Sequence, residues 1–482
     1  MTNQNTKSIV IKNLVWKIME NCGIQGIQFI VQIVLARLLL PEDYGLISLV
    51  TIFIAIANVF VQSGFNTALI QKKDSDEIDF SSVFYLSLTV AVIAYIGIFC
   101  GAPIVANFYG ESELVLILRV LGVTLFFGAF NSIQNAVIAK NMQFKKLFFS
   151  SLGASLVSGI VGVILAYNGL GVWALVSQQI FSQVFITIIL WFTVKWRPTL
   201  VFSIKRVGVL FNYGSKLLVS SLVDTIYMNL RNLVIGKVYT PEMLGMYNRG
   251  QQFPQLIVNN INGSIQSVML PTLSLEQDNK IRIKTIVRRS IVTSSFIIFP
   301  AMIGLAAIAE PVVRIILTDK WIPCVPFLQV FCFTYALMPI HTANLQAINA
   351  IGRSDIFLKL EVYKKVIGVI ILIITIPYGV YAIALGGLIG SLISSFINSY
   401  PNLKLINYSY KEQLKDIIPS LSIAMIMGVI VYSVTLFNIP MVLTLSIQVL
   451  FGVASYIGMA YLFKLECFYY LLNTIKNIIG KK

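Results

Sequence analysis

Charge is scarce in this chain. Of 482 residues only 12% are Asp, Glu, Lys or Arg, about half the roughly 25% of a soluble globular protein. That shortage excludes a soluble enzyme, a nucleic-acid-binding module and a disordered scaffold. There is one histidine, and the five cysteines are Cys22, Cys100, Cys324, Cys332 and Cys467. The cysteines show no CxxC or other metal spacing, so neither a metal site nor a disulfide framework is expected. No GxSxG, GxxxxGK[ST] or HExxH motif occurs, so no hydrolytic or transferase constellation and no cofactor is expected. The N-terminal MTNQNTKSIVIKN is polar and lacks a signal-peptide cleavage pattern, so the first helix is expected to stay in the mature chain.

Apolar residues fill the space that charge leaves, at 57% of the sequence. A membrane helix needs about 20 of them in a row. The apolar runs predict fourteen spans near 13–39, 45–70, 80–101, 114–138, 150–167, 171–194, 215–237, 249–273, 288–309, 325–350, 360–378, 380–400, 417–437 and 441–463. The fold class expected is therefore an all-α polytopic membrane protein of about fourteen transmembrane helices. Alternate loops differ sharply in basic residues: 28 of the 36 Lys and Arg fall in one set and 5 in the other. Such a bias puts both termini in the cytoplasm. Two stretches, 200–212 and 464–482, mix apolar and basic residues at helical spacing. They read as cytoplasmic interfacial helices or as a plain linker and tail.

The chain also repeats itself. Pro41-Glu42-Asp43-Tyr44-Gly45 matches Pro241-Glu242-Met243-Leu244-Gly245, and Gly171-Val172-Trp173-Ala174-Leu175 matches Gly379-Val380-Tyr381-Ala382-Ile383. Gln134 aligns loosely with Gln346. Matches in order, at corresponding loops, predict two six-helix lobes in parallel orientation. The lobes would be residues 1–198 and 215–403, joined by an amphipathic linker over 199–214. Residues 404–482 add two C-terminal helices and a cytoplasmic tail.

Polar residues concentrate on the first two helices of each lobe. Asn21, Gln25, Gln28 and Gln32 lie at helical spacing in the first span, and Asn58, Gln62 and Asn66 in the second. Gln251, Gln255, Asn259, Asn262 and Gln266 run along the eighth, and Lys216, Ser220, Asp224, Tyr227 and Arg231 share a face of the seventh. Polar groups in lipid are costly and turn toward a partner or a wet cavity. A lone amide is explained by helix packing, whereas an unbroken stripe predicts an amide-lined cavity. Arg231 is a candidate anion site, with Lys17 and Lys216 nearer the cytoplasm. Glu20 and Asp224 are candidates for a coupling site for H⁺ or Na⁺, or else partners that neutralise Lys17 and Arg231. Packing explains Arg119 as a snorkelling residue and His341 as a hydrogen-bonded one.

The segments ARLLLPEDYGLISL (36–49), QSGFNTALIQKKD (62–74), SIQNAVIAKNMQFKKL (132–147), GVWALV (171–176) and YTPEMLGMYNRGQQFP (239–254) resemble Wzx-type polysaccharide flippases. The likeness is to the WzxC/TuaB-like branch of the multidrug/oligosaccharidyl-lipid/polysaccharide (MOP) exporter superfamily. The resemblance implies a two-lobed bundle in the bacterial inner membrane. It would flip an undecaprenyl-pyrophosphate-linked oligosaccharide by alternating access, coupled to an ion gradient, in lipopolysaccharide, capsule or exopolysaccharide biosynthesis. Arg231, Lys17 and Lys216 would then meet the pyrophosphate, and the amides the glycan. The expected partners are that lipid-linked oligosaccharide, membrane lipids and the polysaccharide polymerase and chain-length machinery, with no nucleic acid and a monomeric chain. Two alternatives stand beside this reading: a cation-coupled multidrug exporter of the same superfamily, and a membrane glycan polymerase or ligase. The short outer loops disfavour the last.

Overall fold

A computed structural model describes residues 3–62, 68–69, 72, 75–437 and 439–479. The described residues are helical, with short 3₁₀ turns and no strand. The chain forms two compact units, Met1–Gly245 and Met246–Lys482.

The first unit runs through α1 (Asn3–Leu38), α2 (Pro41–Gln62), α3 (Glu77–Tyr109), α4 (Leu114–Gly122), α5 (Thr124–Lys140), α6 (Phe144–Tyr167), α7 (Val172–Thr193) and α8 (Ile204–Val238), and takes in the start of α9 (Pro241–Ser274). Helix α2 is its hub, packing on α3, α4, α5, α7 and α8. Helix α1 lies along α6, where Gly23 faces Leu152 and Gly159 faces Val31. The two repeated segments meet inside this unit. A methyl group on Gly45 would sit 1.8 Å from the carbonyl oxygen of Pro241, and one on Gly245 would sit 2.0 Å from that of Pro41. Only glycine permits two helix starts to touch backbone to backbone in this reciprocal way.

The second unit continues with α10 (Lys280–Ala307), α11 (Ala309–Leu317), α12 (Val325–Ala336), α13 (Met338–Ala350), α14 (Ser354–Thr375), α15 (Val380–Ile406), α16 (Tyr410–Ser433), α17 (Met441–Leu462) and α18 (Glu466–Ile479). Helix α10 packs on α16, α12 and α13, and α15 on α14, α12 and α13. The second matched pair of glycines opens α7 and α15. Gly171 has φ +52° and Gly379 φ +100°, so both turns need a residue without Cβ.

The expected spans fall on helices, those at 114–138 and 325–350 on two each and part of 45–70 outside the described residues, but ten helices among the described residues are long and apolar enough to cross a membrane. Charge explains three of the spans left out. Helix α8 carries Lys205, Arg206, Lys216, Asp224, Arg231 and Lys237, α9 carries its amides with Glu242 and Arg249, and α14 opens with Asp355, Lys359, Glu361, Lys364 and Lys365. The described apolar part of α1, Gly23–Leu38, is short. Residues 204–212 of the first expected surface stretch run unbroken into α8, and the second stretch contains α18.

Candidate functional site

Among the expected site residues, those on α8 and α9 are the most open. Lys216, Ser220 and Asp224 are exposed, and Tyr227 and Arg231 half-buried, as α8 approaches its anchored end. There Ile235 is fully buried and Gly236 abuts Leu49 of α2. Val219, Val223 and Met228 are exposed as well, so this stretch of α8 presents a polar and an apolar face together. An apolar face suits lipid, while a face carrying Lys, Ser and Asp requires water or a polar ligand.

Helix α9 repeats the pattern with amides. Gln255, Asn259 and Gln266 are exposed, while Phe253, Val258, Met269 and Leu273 are buried. Asn262 is buried, and its Oδ1 has no hydrogen-bond partner. Gln251 differs, because its Nε2 donates to Tyr335 Oη at 2.7 Å and so ties α9 to α12. One turn away, Arg249 is buried, hydrogen-bonded to Gln252 and 5.0 Å above the ring of Trp321. Pro254 and Pro271 interrupt the backbone hydrogen bonds of α9.

The second helix is less open. Gln62 Nε2 donates to Asn58 Oδ1 at 3.3 Å, and both side chains bear on Gly128 of α5. On α1, Gln28 is exposed, Gln25 and Gln32 are half-buried with polar partners, and Glu20 is buried. The side chains of Lys17 and Asn21, and the whole of Asn66, lie outside the described residues. Arg119 donates from Nε to the carbonyl oxygen of Phe99 at 3.3 Å and stacks over that ring at 4.1 Å, a packing role. Among the described residues no group of three His, Cys, Asp or Glu could hold a metal, and Cys100, Cys324, Cys332 and Cys467 are free thiols.

Sequence reasoning missed a second population of amides, knitted inside the second unit. Asn344 Nδ2 donates to Gln413 Oε1 at 2.8 Å, and Gln413 Nε2 returns a bond to Asn344 Oδ1 at 3.0 Å. Asn402 Nδ2 reaches the same Oδ1 at 2.7 Å. His341 joins the same interior, with Nε2 3.2 Å from Ser391 Oγ and Nδ1 3.1 Å from Asn398 Nδ2. These side chains come from α13, α15 and α16, 50 to 69 residues apart. Their partners lie on other helices, and the sole signal available in sequence was the cost of leaving a buried amide unpaired.

Ion clusters fasten the charged helix ends. In the first unit Asp79 is fully buried, 2.5 Å from Lys72 and 3.5 Å from Arg206, while Arg206 also holds Asp76 at 2.5 Å. The Arg206 hydrogen bond keeps the Asp76 carboxyl below the usual carboxylate range. In the second unit Arg288 binds Asp416 at 3.0 Å and Glu466 at 3.4 Å, and Lys284 binds Glu412 at 3.2 Å.

The model of a polysaccharide biosynthesis protein family matches residues 34–326. The teichuronic acid biosynthesis protein TuaB of Bacillus subtilis is 24% identical over 83% of this chain and 84% of its own length. The lipopolysaccharide biosynthesis protein WzxC of Escherichia coli is 21% identical over 86% and 87%. Among solved structures, the lipid II flippase MurJ in an inward closed conformation superposes with a TM-score of 0.75 at 17% identity, covering 93% of this chain and 98% of that one. An inward-facing multidrug resistance transporter of the MATE family gives 0.62 at 16% identity, covering 80% and 96%. With the matched segment spanning well over half of the chain, this protein belongs to the polysaccharide biosynthesis protein family.

Proposed function

We propose that the protein flips a lipid-linked oligosaccharide across the bacterial inner membrane for the synthesis of a surface polysaccharide. The observation that carries this reading is the exposed amide row of α9, Gln255, Asn259 and Gln266, at helical spacing. A sugar head group crossing a bilayer must exchange water for hydrogen bonds that are nearly as good, and a row of amides offers both donors and acceptors. Family membership and the names of TuaB and WzxC point to the same class of substrate. The MATE-like fold alone is equally compatible with drug export, but the family match favours the saccharide. A transporter of this kind makes and breaks no covalent bond, so no catalytic residue is assigned.

The finer reading has fourteen spans, built as two six-helix lobes plus two C-terminal helices, with both termini in the cytoplasm. The reciprocal Gly45–Pro241 and Gly245–Pro41 contacts support such a repeat. The substrate's undecaprenyl tail stays in lipid while the pyrophosphate meets Arg231, Lys216 and Lys17. Arg231 is half-buried and makes no hydrogen bond or ion pair among the described residues, so its charge is available to an anion. The amides of α1, α2 and α9 serve the glycan. Asp224 and Glu20 serve coupling to H⁺ or Na⁺, and the lobes alternate between inward- and outward-open states.

Deleting the gene tests the reading. A lipid-linked saccharide is expected to accumulate on the inner leaflet, with surface polymer lost and drug sensitivity unchanged. Intact surface polymer together with heightened drug sensitivity would assign the protein to multidrug export instead. Asp224→Asn is expected to abolish the response of transport to an imposed ion gradient, and a preserved response would make Asp224 structural.

A further inference from the structure

A cavity of about 500 Å³ opens in the first unit, at the lysine-rich ends of its helices and away from the stripes described above. Its walls are Ser75, Asp76 and Glu77 before and at the start of α3, Lys140 at the end of α5, Lys146 on α6, and Val194 to Trp196 after α7. Phe80, Val137, Val194 and Trp196 make part of the lining apolar.

The charges lining the cavity are unequally committed. Asp76 is engaged by Arg206, which contacts both of its carboxylate oxygens at 2.5 Å. Lys140 donates to the carbonyl and hydroxyl oxygens of Ser75 and lies 5.6 Å from the Phe80 ring, so among the described residues its partners are neutral and leave its charge uncompensated. Lys146 and Lys195 make no hydrogen bond or ion pair among the described residues. Helix α6 begins at the same wall, and Gln143, at its N-cap, supplies no side-chain cap. The N–H groups of that first turn thus add positive potential. Among the described residues, Glu77 is the one carboxylate on the wall that Arg206 does not engage.

A second basic cavity, in the second unit, provides the contrast. It is lined by Lys284, Arg288 and Arg289. There Arg288 and Lys284 are consumed by Asp416, Glu466 and Glu412. Arg289 stacks on Tyr470 at 4.5 Å. Those cations fasten α18 and α16, whereas the cations of the first cavity fasten little.

We propose that the Lys140, Lys146 and Lys195 cavity binds the phosphate head group of an anionic membrane phospholipid. Lysine ammonium groups donate to phosphodiester oxygens as point charges, and basic pockets between membrane helices on the cytoplasmic side suit such head groups. The apolar lining accepts the glycerol and the first methylenes of the acyl chains. This site is independent of the saccharide reading and survives its failure.

Native mass spectrometry of the delipidated full-length protein tests the assignment. Phosphatidylglycerol, phosphatidylcholine or inorganic pyrophosphate would be added to the wild type, to Lys140→Gln/Lys146→Gln/Lys195→Gln, and to a control, Lys411→Gln/Lys415→Gln. The wild type and the control are expected to prefer phosphatidylglycerol. The triple variant is expected to lose about 100-fold of that affinity, at about fivefold per lysine. Lys195→Gln alone, at an exposed position that folding tolerates, is expected to lose about fivefold. Equal binding of phosphatidylglycerol by wild type and Lys195→Gln, or of phosphatidylcholine and phosphatidylglycerol by the wild type, would overturn the proposal. Displacement of bound lipid by inorganic pyrophosphate would overturn it too, assigning the cavity to a soluble anion.

Discussion

The second unit holds amides in two contrasting settings. Between α13, α15 and α16, Asn344, Asn402 and Gln413 are buried and bound to one another. On α9, Gln255, Asn259 and Gln266 are exposed. The residue types are alike, so the difference lies in what the neighbouring helices bring. A buried amide costs stability unless its donors and acceptors are met, and once met it locks helices together. An exposed row contributes no such lock, and under the proposed function it meets the head group of the substrate. On the proposed reading, the contrast separates amides that hold the bundle from amides that serve a substrate.

The largest effect is expected where the exposed row is removed. Gln255→Leu/Asn259→Leu/Gln266→Leu should cut transbilayer movement of the lipid-linked saccharide about 100-fold, at about 1 kcal/mol per lost hydrogen bond, while Tm stays near the wild-type value. A large drop in Tm would place these amides with the buried set. Next comes Arg231→Ala, for which flipping should fall roughly tenfold to 100-fold, the value of a hydrogen bond to a charged group. The variant should remain folded and inserted, and normal surface glycan would remove Arg231 from pyrophosphate binding. Asn344→Leu should reverse the pattern. It strands Gln413 and Asn402, costs about 1–3 kcal/mol of stability, and leaves transport per folded molecule unchanged. Smallest is Asn58→Ala, which removes the bond from Gln62 beside Gly128. A thermal shift matching about 0.6 kcal/mol is expected, with a loss of transport of about fivefold at about 1 kcal/mol for its bond to the glycan, and unchanged transport would take Asn58 out of the substrate path.

Much of the fold was legible in sequence, because membrane helices announce themselves by apolar length. The repeated PExxG segments and the Gly171 and Gly379 turns were visible as patterns, and the structure supplies their reasons in backbone contact and positive φ. Arg119 and His341 were legible too, since a solitary polar group in an apolar run must find a partner. What sequence concealed was the partner itself. Arg206 reaches Asp76 across 130 residues and Asn344 reaches Gln413 across 69, distances over which local periodicity carries no information. Helical spacing marked Asn58 and Gln62 as one face with the same signal as Gln255 and Asn259. It could not register that Asn58 is half-buried against Gly128 and bonded to Gln62, while Gln255 and Asn259 are both exposed. The linker posed the same difficulty. Thr199 and Ser203 hydrogen-bond to Ser81 and Ser82 on α3, contacts that no reading of 199–214 alone reveals.

The account rests on the α9 face being wet, and thiol labelling tests that most directly. In a background where Cys22, Cys100, Cys324, Cys332 and Cys467 are replaced, Gln255→Cys, Asn259→Cys and Asn402→Cys would be exposed in membranes to a water-soluble, lipid-insoluble maleimide. Rapid labelling at 255 and 259, slowed by the lipid-linked substrate, with none at 402, is the result predicted. Protection of 255 and 259 equal to that of 402 would mean that α9 faces lipid or packed protein, and the proposed path for the saccharide would be gone.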